Sequence, residues 1–194
     1  MMLSGLKIAF ALTGSHCTIL EVLPVMKILV EQGAIISTIF SPSVRDTDTR
    51  FGKAIDLRRD VIAITGSEPL TTMVEVEPIG PQKLFDFILV APCTGNTLAK
   101  LALGITDTCV TLACKAQLRN NRPVVIAIST NDGLGANARN LAILLNKKNI
   151  YFVPFGQDIP QTKQTSLTSK MSLIPETIME AMEHRQLQPV LISF

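Results

Sequence analysis

Apolar residues along this chain fall in short unbroken runs, each followed by a stretch of helical periodicity. Residues 6–12 form the first run, and its lack of polar alternation suits a strand covered on both faces. Residues 13–18 then read as a turn, and 18–32 as an amphipathic helix stopped at Gly33. Pro24 lies inside that helix as a candidate kink. A second strand is expected over 34–40, closed by a turn at Ser41-Pro42-Ser43, and 46–59 has the pattern of a polar amphipathic helix. Residues 65–83 include Pro69, Pro78, Gly80 and Pro81 and read as a long loop with a short piece of helix or strand.

The third strand is expected at 87–91, its loop beginning at Pro92. Helical signals cover 96–103, break at Gly104 and resume over 107–118. A fourth strand at 123–129 and a loop at 130–135 lead into a helix over 136–148 and a fifth strand at 150–154. The Gln-, Thr- and Ser-rich segment 156–170 has the composition of a loop or arm, and 175–185 reads as a last helix with proline at its first position. This alternation predicts an α/β fold: a flavodoxin-like or Rossmann-like parallel sheet of five to six strands between two helical layers. One domain over residues 1–194 accounts for the length, with 157–194 as a C-terminal arm and helix.

Composition removes several function classes. Hydrophobic residues make up 47% of the chain, which argues against disorder. The 18 basic and 16 acidic residues leave a net charge of +2 without a basic stripe, so no nucleic-acid partner is expected. Cys17, Cys93, Cys109 and Cys114 form no C-x-x-C pair, and His16 and His184 lie far apart, so no metal site is expected. The apolar start is broken by glycine and lacks a cleavage motif, and no run reaches ~18 apolar residues. These features point to a cytoplasmic protein with free thiols and no membrane association.

In an open parallel sheet, ligands bind beyond the carboxyl ends of the strands. The segments that follow the strands here are Thr13-Gly14-Ser15-His16, then Ser41 and Ser43, then Cys93-Thr94-Gly95-Asn96-Thr97, then Ser129-Thr130-Asn131. All four are small, hydroxylated and free of Lys and Arg. Small residues let a ligand reach the backbone, and helix N-termini with neutral donors suit a phosphate monoester. For any one of these loops taken alone, helix capping and turn formation are the better account, whereas all four at one edge favour a ligand site. The absence of G-x-G-x-x-G after the first strand, and of an acid ending the second, disfavours a dinucleotide site. No G-x-x-x-x-G-K-[ST] motif is present, which excludes a P-loop triphosphatase.

The run from Ala91 through Pro92-Cys93-Thr94-Gly95-Asn96-Thr97-Leu98-Ala99-Lys100 to Asp107 resembles the P-A-T-A-N-T-I-A-K signature of the flavoprotein family. That family holds the phosphopantothenoylcysteine decarboxylases, lantibiotic cysteine decarboxylases and flavin prenyltransferases. Thr13-Gly14-Ser15 fits its first phosphate-side loop, and Asn131 falls where the decarboxylases carry the Asn of P-x-M-N-x-x-M-W. The resemblance implies flavin mononucleotide (FMN) as cofactor. Gly14 and Ser15 would be at its phosphate or ribityl end, and Ser41, Ser43, Cys93, Thr94, Gly95, Asn96, Thr97 and Ser129 would complete the cradle. Asn131 would face the flavin ring. It also implies a homo-oligomer, a trimer or a dodecamer.

Departures from the family pattern are equally specific. Eight residues before Asp86, where the cysteine decarboxylases carry a catalytic His, stands Pro78. The P-x-M-N-x-x-M-W motif is reduced to Ile128-Ser129-Thr130-Asn131-Asp132-Gly133-Leu134-Gly135, and no late Ala-Cys-Gly follows. The single tyrosine, Tyr151, lies in the expected fifth strand, away from the late segment where prenyltransferase chemistry would need it. Gly14-Ser15-His16-Cys17-Thr18, Glu77-Pro78-Ile79-Gly80-Pro81, Thr130-Asn131-Asp132-Gly133 and Leu173-Ile174-Pro175-Glu176-Thr177 instead resemble one branch of the family, from endospore-forming bacteria. That branch implies one component of a two-component synthase. It works in the mother cell with a separate component of dinucleotide-binding fold (the synthase's A subunit), which brings NAD(P), and aromatises a small dicarboxylate ring by oxidation. Such a reaction wants a base, and His16 is the candidate, against a plain hydrogen-bonding role in its loop. A flavin-dependent decarboxylase and a non-catalytic scaffold without flavin are the alternative readings.

Overall fold

The structure is a computed structural model that describes residues 3–194. Five strands, β1 (Lys7–Leu12), β2 (Ile35–Phe40), β3 (Phe87–Cys93), β4 (Val124–Thr130) and β5 (Ile150–Phe152), pair in parallel in the order β2-β1-β3-β4-β5. This is the flavodoxin-like order, with its reversal between β1 and β3. Side-chain alternation divides the core between two faces. Ile8, Phe10, Leu12, Phe87, Leu89 and Val125 point to one cluster, while Ala9, Ala11, Ile88, Val90, Val124 and Ile126 point to the other. Both sets are apolar because helices cover both faces, which is why the strands read as unbroken apolar runs.

The first face is covered by α1 (His16–Glu31), α3 (Ala54–Thr65) and α9 (Ile174–Met182). The second is covered by α6 (Gly95–Leu103), α7 (Cys109–Arg119) and α8 (Ala138–Leu145). The expected three-layer α/β fold is therefore observed. Where the sequence pattern suggested one helix over 46–59, two helices form instead: α2 (Pro42–Asp46) and α3. Asp48 Oδ1 accepts the Ala54 N–H at 2.9 Å, and Thr49 bridges Gly52, so the polar stretch between them is a tight connection.

Residues 65–83 hold α4 (Met73–Val76) and α5 (Ile79–Gln82). One turn such as α4 persists through its capping box. The Glu75 carboxylate accepts the N–H groups of Thr71 and Thr72 at 2.8 Å each, and the Thr72 hydroxyl at 2.9 Å. These bonds, led by the Thr71 N–H, hold the Glu75 carboxyl below its ordinary range. A folded-state pKa below the unfolded value gives stability that is complete above the unfolded glutamate range, near pH ~4, and is lost as pH falls through the folded value. Glu75→Gln is expected to lose this acid-sensitive component, so urea midpoints of variant and parent converge as pH falls below ~4. Midpoints that stay equally far apart from pH ~7 to ~3 would contradict the assignment.

The segment expected to be loop or arm carries two further strands, β6 (Phe155–Gly156) and β7 (Leu167–Ser169). β7 runs antiparallel to the end of β4, with Ser129 opposite Thr168, and β6 pairs antiparallel with β7. β4 thus has β5 beside its first half and β7 beside its last. This switch brings the tail over the carboxyl edge of the sheet, next to the strand-end loops.

Candidate functional site

Three of the strand-end loops and the tail enclose an open crevice of about 1300 Å³. Beneath it lies buried Thr13, whose hydroxyl donates to the Pro92 carbonyl at 2.6 Å and accepts the Thr94 N–H at 2.9 Å. One side chain thereby fixes the first loop against the third. Gly14 is needed for close approach, since a Cβ there would stand 2.6 Å from Ser43 Oγ.

Ser15 occupies the N-cap position of α1 yet makes no capping bond. Its hydroxyl turns instead to Ser129 Oγ at 2.7 Å, and Ser129 Oγ lies 2.7 Å from Thr18 Oγ1. Ser15 and Thr18 are 3.3 Å apart, so the three hydroxyls close a triangle between the start of α1 and the end of β4. The first-turn N–H groups of α1, at His16 and Cys17, have no intrahelical acceptor by helix geometry and receive none from Ser15. At α6 the Thr94 hydroxyl accepts the Thr97 N–H at 3.3 Å, while the Gly95 and Asn96 N–H groups lie before the first intrahelical acceptor. Two helices of 16 and 9 residues therefore open with free donors toward one crevice.

A polar cluster backs the start of α6. Asp132 accepts from Thr130 Oγ1 at 2.5 Å and from Asn137 Nδ2 at 2.8 Å, and Asn140 Nδ2 donates to Asn137 Oδ1 at 2.9 Å. The tail is tied on by Thr165 and Ser166, whose hydroxyls donate to the carbonyls of Asn131 and Thr130. Ser169 accepts the Ile128 N–H at 2.8 Å and donates to the Val153 carbonyl.

Of the residues singled out from sequence, Gly14, Ser15, His16, Thr94, Gly95, Asn96, Ser129 and Asn131 line the crevice. Ser41, Ser43, Cys93 and Thr97 are not part of its lining. Ser41 is buried as the N-cap of α2, accepting the Val44 N–H, which replaces the expected turn about Pro42. Ser43 Oγ lies 3.3 Å from His16 Nε2 and supports the first loop from behind. Cys93 ends β3, two residues beyond the strand end expected at Ala91, and is fully buried with its thiol pushed up by desolvation. Thr97 is turned under Thr94, with the Thr94 hydroxyl donating to its oxygen at 3.1 Å. His16 is the first residue of α1, because the helix starts two residues before the expected Thr18.

Thr18 and the whole tail wall, including Lys163, Ser166, Thr168 and Lys170, are lining residues that sequence reasoning missed. Lys163 pairs with Asp158 at 2.9 Å, which holds the Asp158 carboxyl low and the lysine high. Burial also pushes the Cys114 thiol up to about 12, so neither Cys93 nor Cys114 supplies a thiolate near neutral pH. Among the described residues no group of three or more His, Cys, Asp or Glu side chains gathers as for a metal ion, and no helix is long and apolar enough to cross a membrane.

A flavodoxin-order sheet with anion-ready helix starts at its carboxyl edge defines a class, and the whole sequence places the chain in it. The chain belongs to the flavoprotein family, whose model matches residues 1–182. More particularly, it is 47% identical over 191 residues to the B subunit of dipicolinate synthase of Bacillus subtilis (strain 168), covering 98% of this chain and 96% of that protein. The crystal structure of the dipicolinate synthase B subunit from Bacillus halodurans superposes with a TM-score of 0.92 at 47% identity, over 100% of this chain and 99% of the other. That of the FMN-dependent cysteine decarboxylase SpaF shares the fold, with a TM-score of 0.66 at 23% identity over 92% and 98% of the two chains.

Proposed function

We propose that this chain is the flavin-binding component of a two-component dipicolinate synthase. It holds FMN in the crevice and, as a homo-oligomer acting with the A subunit of dipicolinate synthase, oxidises a dihydrodipicolinate-level ring to dipicolinate. The observation that carries this reading is the uncapped start of α1, where Ser15 leaves the first N–H groups open and turns its hydroxyl to Ser129. Backbone donors at a helix start suit a phosphate without Lys or Arg, because the helix dipole supplies part of the counter-charge. The α6 start, with Gly95 and Asn96, offers a second donor set for the polar edge of a flavin. The crevice, at about 1300 Å³, exceeds the roughly 300–1,000 Å³ that a single drug-sized ligand fills, which leaves room for a substrate beside the cofactor.

When bound, FMN would supply a two-electron acceptor. The residues of this chain supply placement and proton management. Aromatising a dihydro ring also releases a proton, and the His16 imidazole, which lines the crevice, is the candidate base to take it. Ser43 orients that ring through Nε2. The buried, protonated thiols of Cys93 and Cys114 take no part.

The reading is tested by assaying the A subunit for dipicolinate formation with and without this chain, each with and without FMN. The expected result is turnover only when the A subunit, this chain and FMN are all present. Full activity from the A subunit and flavin-free chain would instead support a scaffold role. Release of CO2 from an acyl-cysteine substrate by this chain alone would return it to the decarboxylases.

A further inference from the structure

The two walls of the crevice differ in chemistry. The wall made by the strand-end loops is built of hydroxyls, amides and helix starts. The tail wall carries Lys163 and Lys170, and residues 188–194 bring Phe194 to the same side. This last segment is seated as a strap along β6: the Phe155 N–H donates to the Val190 carbonyl, and the Ile192 N–H donates to the Phe155 carbonyl, both at 3.0 Å. Gly156 gives it passage. A Cβ at that position would collide with the Ile192 carbonyl and would stand 3.5 Å from the Phe194 ring.

Phe194 is 60% exposed, so its ring is not taken up by core packing. Phe51, the other aromatic lining the crevice, already has the Arg50 guanidinium over its face at 4.8 Å. The lysines differ in the same way. Lys163 is committed to Asp158, whereas Lys170, which follows β7, makes no ion pair among the described residues. An uncovered aromatic face and an unpaired ammonium on one wall suit a flat ring bearing a carboxylate.

We propose that Lys170 and Phe194 form the substrate-ring subsite of the crevice, Lys170 taking a ring carboxylate and Phe194 stacking on the ring. The proposal deepens the dipicolinate synthase reading and rests on it for the choice of probe. Dipicolinate and the non-aromatic dicarboxylate glutarate are titrated calorimetrically into the full chain, with and without FMN. The parent is expected to bind dipicolinate more tightly than glutarate. Lys170→Gln is expected to weaken both by about tenfold, as for loss of one hydrogen bond to a charged group. Phe194→Ala is expected to weaken dipicolinate about three- to tenfold and leave glutarate unchanged, with Phe194→Tyr restoring the parent value.

FMN titrations of these variants should match the parent. The proposal is overturned if the parent binds no dipicolinate in either flavin state, or if both variants bind it as the parent does. It is also overturned if Phe194→Ala weakens glutarate as much as dipicolinate, which is what a merely structural role would produce. If FMN fails to bind the parent while the variant pattern holds, the cofactor reading falls and the subsite stands.

Discussion

Gly95→Ala is expected to lower stability by about 1–3 kcal/mol and affinity for FMN by about tenfold. A Cβ at this first position of α6 would stand 2.6 Å from Asn137 Nδ2, from Asp132 Oδ1 and from Thr130 Oγ1. Any one of these short side chains could swing aside if it were free. None is, because Thr130 and Asn137 both donate to Asp132, and Asn140 donates to Asn137. The added methyl therefore breaks this part-buried polar network or pushes the start of α6 out of the crevice wall. Urea unfolding reads the first effect and flavin titration the second. A variant as stable as the parent would show that the network yields freely and that Gly95 answers to some other demand.

The largest loss of stability is expected for Phe152→Ala, at about 3–5 kcal/mol. Phe152 is fully buried at the end of β5, with its ring centroid 5.9 Å from that of Phe155 at an interplanar angle of 58°. Removing it empties the point where the parallel sheet hands over to the tail. Gln186 would still hold the backbone, accepting the Phe152 N–H and donating to its carbonyl at 2.7 Å each, so the cost is the cavity and the lost aromatic contact. For a domain of this size each kcal/mol shifts the melting temperature by roughly 2–4 °C, so a drop of about 10 °C is expected. A shift below ~3 °C would mean that Phe155 and its neighbours collapse into the space.

The sheet was legible because both of its faces are covered. Val124, Val125 and Ile126 can be read as strand without knowing their partners, since every position is apolar. The ends were less legible. β3 runs on through Pro92 to Cys93, and α1 begins at His16, where the string Gly14-Ser15-His16 looks like turn. β7 and the strap were not legible at all. Both are too short to show a period, and each is placed only by pairing with a distant residue, β7 with Ser129 and the strap with Phe155.

The site divides in the same way. Hydroxyl-rich loops after strands announced one wall, though hydroxyl content does not show which way a side chain turns. Ser41 and Thr97 point inward to cap or brace helices, while Ser15 gives up capping to reach Ser129. The tail wall has the composition of solvated loop, and only the fold reveals that Lys170 and Phe194 meet the crevice. The departures from the decarboxylase pattern, such as Pro78 in place of a His, needed no structure, since they concern which residue types are present.

Whether the crevice opened by α1 and α6 holds flavin can be read from the quenching of flavin fluorescence as FMN is titrated with the purified chain. Saturable binding of one flavin per chain is predicted, weakened by Asn96→Asp, which sets a carboxylate at the α6 start beside the flavin's polar edge. Flavin fluorescence that stays unchanged at every protein concentration would contradict it.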